Sequence, residues 1–332
     1  MKKALALILA AAMACALVLT GCGGAGAGST SAGGAAGGKQ NLVMGTGGTT
    51  GTYYAVGGVM ATVLNDMLTQ SSLTVTSTGA SKANIQLISD GEATLGIVQN
   101  DVMDYAYNGT DLFEEDGKVD SFSAVCGMYD ETVQLITTDA NIKSVEDLKG
   151  KSVSVGAPGS GTEFNARQVL DVYGLSFDDI KPVQSDFGDS ADGLKDKKID
   201  AAFIVAGAPT TAVVDLATAA DVYLVNIDDE HSAKLIKEHP FYTKTTIPAK
   251  TYDKQDKDAK TVSVRATLIA SNDLSEDVVY ELVKAMFDNQ DALINGHEKF
   301  KNLKLEEATT GISVKFHPGA VKYFQEQGIE IK

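Results

Sequence analysis

An α/β fold with largely parallel sheets is predicted by three observations. Short β-branched runs alternate with longer helical ones from residue 41 onward, two glycine-rich loops each follow a strand and open a helix, and no internal repeat of fixed period breaks the alternation. NLVMGTGG (41–48) reads as a strand entering a glycine loop, and TYYAVGGVMATVLNDML (52–68) as a helix that tolerates two glycines. LTVTST (73–78) is a strand, followed by a helix in SKANIQLISDGEA (81–93) with Ile85, Leu87 and Ile88 as its apolar positions. LGIVQND (95–101) is a strand running into DVMDYAYNG, and VQLITT (133–138) is another strand. SVEDLKGK (144–151) is a capped helical turn ahead of the strand and loop in SVSVGAPGSGT (152–162). TEFNARQVLDVYG (162–174) is a helix, and GLKDKKIDAAFIVAG (193–207) is a helix end and then a strand. TTAVVDLATAA (210–220) and VYLVNID (222–228) are the next helix and strand.

Composition narrows the function. The 332 residues carry 44 acidic and 28 basic side chains, a formal charge of −16 and a pI near 4.6. Nothing in that balance could neutralise a row of phosphates, so a nucleic-acid partner is excluded. A hydrophobic share of 44% with 22% charged residues is that of a globular chain rather than a disordered one. No apolar run after residue 20 approaches the ~20 residues that span a bilayer.

The N-terminus carries an export signal. Lys2 and Lys3 precede a 16-residue apolar stretch from Ala4 to Leu19, too short to span and typical of a signal peptide. It ends in Leu19-Thr20-Gly21-Cys22, which resembles the bacterial lipoprotein box and implies lipidation of Cys22 after cleavage. Residues 1–22 are therefore expected to be signal peptide and anchor. Residues 23–39 follow as a tether, half glycine from Gly23 to Gly38, with a reach of about 20–24 Å. Loss of Lys2 and Lys3 leaves 26 basic residues and a charge of −18. About 290 residues then remain, enough for two domains. Cys15 goes with the signal peptide, so the one remaining thiol, Cys126 in SFSAVCGMY, can form neither a disulfide nor a zinc site and reads as a small buried strand residue.

In open α/β sheets ligands sit outside the carboxyl ends of the strands, where loops meet helix N-termini. Two loops fit that position. Gly45-Thr46-Gly47-Gly48-Thr49-Thr50-Gly51 would let a ligand approach the backbone. It is not a dinucleotide fingerprint, because position 50 is threonine, nor a phosphate loop, because Thr52 stands where lysine is needed. Val155-Gly156-Ala157-Pro158-Gly159-Ser160-Gly161-Thr162-Glu163 is not a nucleophile elbow, because Pro158 and Thr162 replace its glycines. Each loop reads equally well as an anion cradle or as a plain turn, and Thr162 as an N-cap with Glu163 in the first turn.

Catalytic and metal motifs are missing. His231, His239, His297 and His317 lie far apart in no ligand pattern, and no HExxH, CxxC or calcium loop occurs. No metal or cofactor is expected, and no enzymatic activity. Only Arg167 and Arg265 could clamp a carboxylate in bidentate fashion. Arg167 reads as a surface helix position; Arg265, in VSVRATLIA, is open between ligand clamp and strand ion pair.

MGTGGTTGTYYAVGGVMATVLN, STGASKANIQLISDGEATLGIVQND, IKSVEDLKGKSVSVGAPGSGTEFNARQVL, KKIDAAFIVAGAPTTAV, IPAKTYDKQD and FHPGAVKYFQEQG resemble, in this order, the TAXI family of TRAP-transporter solute receptors. The family more often has glycine where Ala80 stands and proline where Ala55 or Val56 stands. The resemblance implies a two-lobed periplasmic binding protein of type II, each lobe a mainly parallel sheet flanked by helices, closing on a small solute. It implies delivery to TRAP membrane permease subunits driven by a sodium or proton gradient. Lobe I is expected at 40–132 and 255–332, lobe II at 133–254, with the two loops facing across the cleft. Thr46, Gly47, Gly48, Thr49 and Tyr53, with Ser81, Asn84 and Gln99, would bind from lobe I. Ser160, Gly161 and Thr162, the turn Gly207, Ala208 and Pro209, and Tyr252 as a cover would bind from lobe II. One of Tyr53 and Tyr54 reaches the ligand and the other is core; Asp101 is a helix N-cap or an ammonium receiver.

Family members commonly bind glutamate, glutamine or related carboxylates. The charge of −18 opposes steering of an anion, so affinity must come from local donors. An acidic amino acid or small dicarboxylate is expected, bound by a monomer outside the cytoplasm, in the periplasm or on the outer face of a single-membrane bacterium. Competing readings are a ligand-presenting sensor subunit for a membrane kinase, an anchored hydrolase using Ser160, and a structural surface antigen.

Overall fold

The computed structural model describes residues 39–331; the expected signal peptide, the Cys22 anchor and the tether to Gly38 lie outside the described residues. The chain opens with β1 (Gln40–Gly45), α1 (Thr52–Leu64), β2 (Ser71–Thr76), α2 (Ser81–Ser89), β3 (Leu95–Gln99), α3 (Asn100–Asn108) and β4 (Phe122–Thr137). Next come β5 (Ser152–Ser154), α4 (Gly161–Val172), β6 (Lys181–Val183), α5 (Phe187–Lys195), β7 (Ala201–Ala206), α6 (Thr211–Ala219) and β8 (Tyr223–Val225). It closes with α7 (Asp229–Glu238), β9 (Thr243–Ile247), β10 (Ala259–Ser271), α8 (Glu276–Asp288), α9 (Gln290–Gly296) and α10 (Pro318–Glu326).

The strands form one sheet in the order β2-β1-β3-β10-β4-β7-β5-β6, with β8 also on β4 and β9 also on β10. Two long strands organise it. β4 pairs with β10 through its first part and with β7 and β8 through its last part. β10 pairs with β9 at its start and with β3 at its end. The sheet therefore has two halves that repeat one order, β2-β1-β3-β10-β4 and β6-β5-β7-β4-β8. The expected parallel pairings are the outer ones, β1 with β2 and β3, and β5 with β6 and β7. The centre is antiparallel, because each long strand carries the chain into the opposite half and must run against its neighbours there.

Burial on both faces explains why these strands read as apolar runs. In β3, Leu95 and Ile97 join one cluster with α1, α8 and α10, while Val98 joins another with α2 and α3, the period-2 alternation of a pleated strand. The second half repeats this: Phe203 and Val205 of β7 meet α4, and Ala202, Ile204 and Ala206 meet α5 and α6. Cys126 is a fully buried strand residue, its thiol pushed up to about 12 by burial. Thr137, fully buried at the end of β4, donates its hydroxyl to the Asp200 carbonyl and so ties β4 to the entry of β7.

The halves also touch through their loops and helices. Thr52 Oγ1 donates to the Gly207 carbonyl at 3.2 Å, Ala212 N to Thr50 O at 3.3 Å and Lys82 N to Gly159 O at 3.3 Å. Lys299 Nζ donates to the Ala208 carbonyl. Asn165 Nδ2 of α4 donates to Asp101 Oδ2 of α3 at 3.0 Å.

Candidate functional site

An open cavity lies where the two halves meet. Four helices begin on its wall: α1 at Thr52, α2 at Ser81, α4 at Gly161 and α5 at Phe187. The first-turn N–H groups of a helix have no partner within it, so each N-terminus offers donors and the positive end of a dipole. All four follow strands β1, β2, β5 and β6, and two come from each half.

Local chemistry holds each start in place. Thr46 donates both N–H and Oγ1 to the Thr76 carbonyl, at 3.1 and 2.6 Å. Asn84, fully buried, donates to the carbonyls of Thr46 and Ile97 at 2.7 and 2.8 Å and accepts from Thr78 Oγ1 at 2.6 Å. That side chain ties the ends of β1, β2 and β3 together, and Gly45 makes room for it: a Cβ there would lie 2.5 Å from Asn84 Oδ1. Ala80 caps α2 with φ 70° and ψ −141°, a backbone that favours glycine. In the second half, Ser160 caps α4 by accepting from Glu163 N at 3.2 Å, while Glu163 Oε2 accepts from Gly159 N at 2.7 Å. Ser160 is thus the cap expected of Thr162, which sits inside the helix. Asp186 caps α5 by accepting from Asp189 N at 2.9 Å and faces Gly48 across the cavity mouth.

The floor is a polar cluster on the crossing strand. Glu131 of β4 is 2% exposed and accepts from the Tyr53 hydroxyl. Burial pushes its carboxyl up to about 8, against hydrogen bonds from Tyr53 and Gln99. Tyr53 is itself raised well above 10 by burial and by the Glu131 charge. Gln99, at the end of β3, reaches across to the start of α4, where a Cβ on Gly161 would lie 2.1 Å from Gln99 Oε1. That oxygen is buried without a hydrogen-bond partner, as is the Tyr129 hydroxyl near Glu131.

Of the residues expected from sequence, Gly47, Gly48, Tyr53, Ser81, Gln99, Ser160, Gly161 and Thr162 line this cavity. The others stand apart. Thr46 and Asn84 are spent on the strand ends described above, and Thr49 is exposed. Gly207 and Ala208 offer their carbonyls to Thr52 and Lys299, next to the cis Ala208–Pro209 peptide. Tyr252 is buried, donating to Gln134 Oε1 and accepting from Thr210 N at 3.0 Å; it anchors the 207–210 turn instead of covering the cavity. Tyr54 is 36% exposed rather than core. Asp101 is fully buried within α3, outside the cavity lining, and the cap of α3 is Gln99. Neither arginine lines the cavity: Arg167 pairs with Glu163 at 3.4 Å and lies over the Phe177 ring, and Arg265 lies 3.9 Å from Asp130.

Sequence reasoning missed Glu131, Asp186, Phe187, Thr52, Thr78 and the Val205–Ala206 end of β7. Glu131 did leave a signal, an acidic residue inside the otherwise apolar run from Phe122 to Thr137.

A family model described as the NMT1-like family matches residues 44–328. The chain belongs to the NMT1-like family. A solved structure from Bordetella bronchiseptica RB50 aligns over 86% of this chain and 89% of its own, at 14% identity and a TM-score of 0.53. The periplasmic aliphatic sulphonate binding protein SsuA from Escherichia coli aligns over 87% and 84%, at 15% identity and a TM-score of 0.45. A putative L-cystine ABC transporter from Listeria monocytogenes aligns over 79% and 95%, at 15% identity and a TM-score of 0.46. The likeness is one of fold. The repeated strand order, flanked by helices, is the type II periplasmic-binding-protein architecture. Among the described residues no helix is long and apolar enough to cross a membrane.

Proposed function

We propose that this chain is the extracytoplasmic receptor of a TRAP-type secondary transporter of the TAXI kind, anchored through Cys22. It captures a small carboxylate or amino acid by closing two lobes and hands it to membrane permease subunits. The observation that carries the reading is the cavity between the halves, walled by four helix N-termini and floored by Glu131 and Gln99. Membership of the NMT1-like family and the run of TAXI-like motifs support it. SsuA and the Listeria protein are, by their descriptions, a sulphonate-binding protein and part of an ABC transporter, which fits a solute receptor in general.

In this reading lobe I comprises 40–132 and the C-terminal segment, and lobe II begins at 133. We read the second crossing near Val264, within the 251–264 stretch, since 259–263 pair with β9. Val264 stands opposite Glu131, so both crossing strands pass the cavity floor at one level and form the hinge. Ligand contacts made from both lobes favour the closed state. Gly47, Gly48, Tyr53, Ser81 and Gln99 act from lobe I, and Ser160, Gly161 and Thr162 from lobe II.

Thermal unfolding of the protein, first unfolded and refolded to strip bound solute, tests this against amino acids and carboxylates. A true ligand at 1,000 times its Kd adds about 4 kcal/mol, a rise of several degrees in midpoint. A flat response across a broad panel from well-folded protein contradicts the receptor reading.

A further inference from the structure

Resting on that receptor reading, we propose that Lys299 and the 207–210 turn form a latch between the halves, and that Lys299 is a positioning residue which governs solute release without touching the solute. Two side chains of one half meet two successive carbonyls of the other. Thr52 Oγ1 donates to Gly207 O at 3.2 Å, and Lys299 Nζ donates to Ala208 O. Both contacts exist only while the halves are together. Lys299 is half-buried, and burial holds its ammonium below the usual lysine range, against the charges of Glu298 and Asp130. An ammonium drawn out of water needs an acceptor, and a charged donor makes the stronger kind of hydrogen bond.

The catch of this latch is braced by its own half. Thr210 Oγ1 donates to Gly207 O at 3.0 Å and accepts from Gln134 Nε2 at 2.9 Å. The Tyr252 hydroxyl accepts from Thr210 N at 3.0 Å and donates to Gln134 Oε1. Thr210 and Gln134 are fully buried, so this triangle of side chains meets no solute; it fixes the direction of the turn's carbonyls. Gly207 leaves the surface of the turn bare. A Cβ there would lie 2.8 Å from Lys299 Cε and 3.1 Å from Thr52 Cγ2, so both side chains rest directly on the backbone.

The bolt is equally well rooted. Lys299 lies in the turn Glu298–Asn302, which His297 caps by accepting from Lys299 N at 3.2 Å through Nδ1. Phe300, next in the chain, is buried in the core cluster shared with α1, α8 and α10. Thr52, Val205 and Ala206 line the cavity, and Lys299 does not. The catch thus begins one residue beyond the cavity wall. It can weight the closed state, and with it the apparent affinity, but it cannot choose the solute.

The test compares the parent with Lys299→Met, Lys299→Arg and Gly207→Ala, each unfolded and refolded to strip solute. Spin labels on Thr49→Cys and Asp189→Cys report closure. Stopped-flow mixing reports rates, using whichever of the common L-amino acids, succinate and 2-oxoglutarate raises the parent's unfolding midpoint. Lys299→Met should shrink the short-distance population of the ligand-free protein and weaken the solute about tenfold or more, nearly all through faster release. Lys299→Arg keeps a charged donor and should stay within about threefold of the parent. Gly207→Ala pushes the bolt off the turn and should fall between the two. Lys299→Met with the parent's distances and release rate overturns the latch and leaves the receptor reading intact, as does a loss carried by slower association. A parent that binds none of these solutes contradicts the receptor reading, and the ligand-free distances alone then judge the latch. If Lys299→Met fails to fold, Gly207→Ala decides by the same distances.

Discussion

Glu131 and Asp101 are both carboxylates buried in the middle of the molecule, yet their surroundings differ. Glu131 has a hydroxyl and an amide on one side and the cavity on the other. Asp101 is enclosed: Asn165 donates to it at 3.0 Å and also to Tyr242 Oη at 2.6 Å, Tyr242 donates to Gln168 Oε1 at 2.7 Å, and Gln168 Nε2 donates to Tyr105 Oη at 3.0 Å. That network joins α3 of one half to α4 and the Tyr242 segment of the other, and it ends on the protein. A buried polar group with acceptors to spare beside a cavity is placed to meet a solute; one whose partners are all internal fixes the packing of the halves. The two residues should therefore fail in opposite ways.

The largest expected effect is the loss of about a hundredfold or more in solute affinity for Glu131→Gln, with stability within about 1 kcal/mol of the parent, since glutamine still accepts from Tyr53. Asp101→Ala should do the reverse. It leaves Asn165 Nδ2 short of an acceptor, which costs about 1–3 kcal/mol of stability, and it should change solute affinity less than tenfold.

The same variant has a pH signature. Burial raises Asp101 to about 7 and Glu131 to about 8, so between pH 4 and 8 the folded chain holds protons that the unfolded chain has lost. Their contribution to the stability of the ligand-free protein should fall as pH rises through that window; burial holds His239, His297 and His317 below the usual imidazole range and opposes the fall up to about pH 6.5, so the net fall is expected between about pH 6.5 and 8. Urea midpoints should show the fall flattened below pH 7 in Asp101→Ala, and a residual fall up to about pH 8 that belongs to Glu131. A parent protein that gains stability between about pH 6.5 and 8 would break the comparison.

The smallest effect is at Ala80. Its φ of 70° strains an alanine, so Ala80→Gly should raise the urea midpoint by the equivalent of about 0.5–1 kcal/mol. A loss would mean that the cap is not strained as its backbone implies. The glycine more usual at this place among the receptors the sequence resembles has, in that φ, a physical reason.

Much of the fold was legible because it is local. The strand–helix alternation and both glycine loops follow from β-branched runs, caps and turns that a reader can see within ten residues. The long strands were not: VQLITT covers only the end of β4, because Gly127 and the Asp130–Glu131 pair break the apolar pattern at the point where the chain changes halves. The eight cavity residues foreseen sit at helix starts, where sequence and position agree. Tyr252 and the Gly207–Pro209 turn misled because a buried tyrosine hydroxyl can serve the backbone as readily as a ligand, and only partners distant in sequence, Gln134 and Thr210, decide which. Glu131 was missed for the same reason: its acidity shows in the sequence, while its burial and its cavity depend on β10 and Tyr53.

Closure of the two halves on a solute is the central claim, and a distance across the cavity mouth tests it most directly. Thr49 and Asp189 are exposed on opposite sides of that mouth, next to the Gly48–Asp186 contact. Cysteines introduced by Thr49→Cys and Asp189→Cys can carry spin labels, since Cys126 is buried and its thiol is pushed up to about 12. With a solute that raises the unfolding midpoint, the label distances should contract to one short population that the stripped protein fills only in part. Identical distance distributions with and without saturating solute would contradict the account.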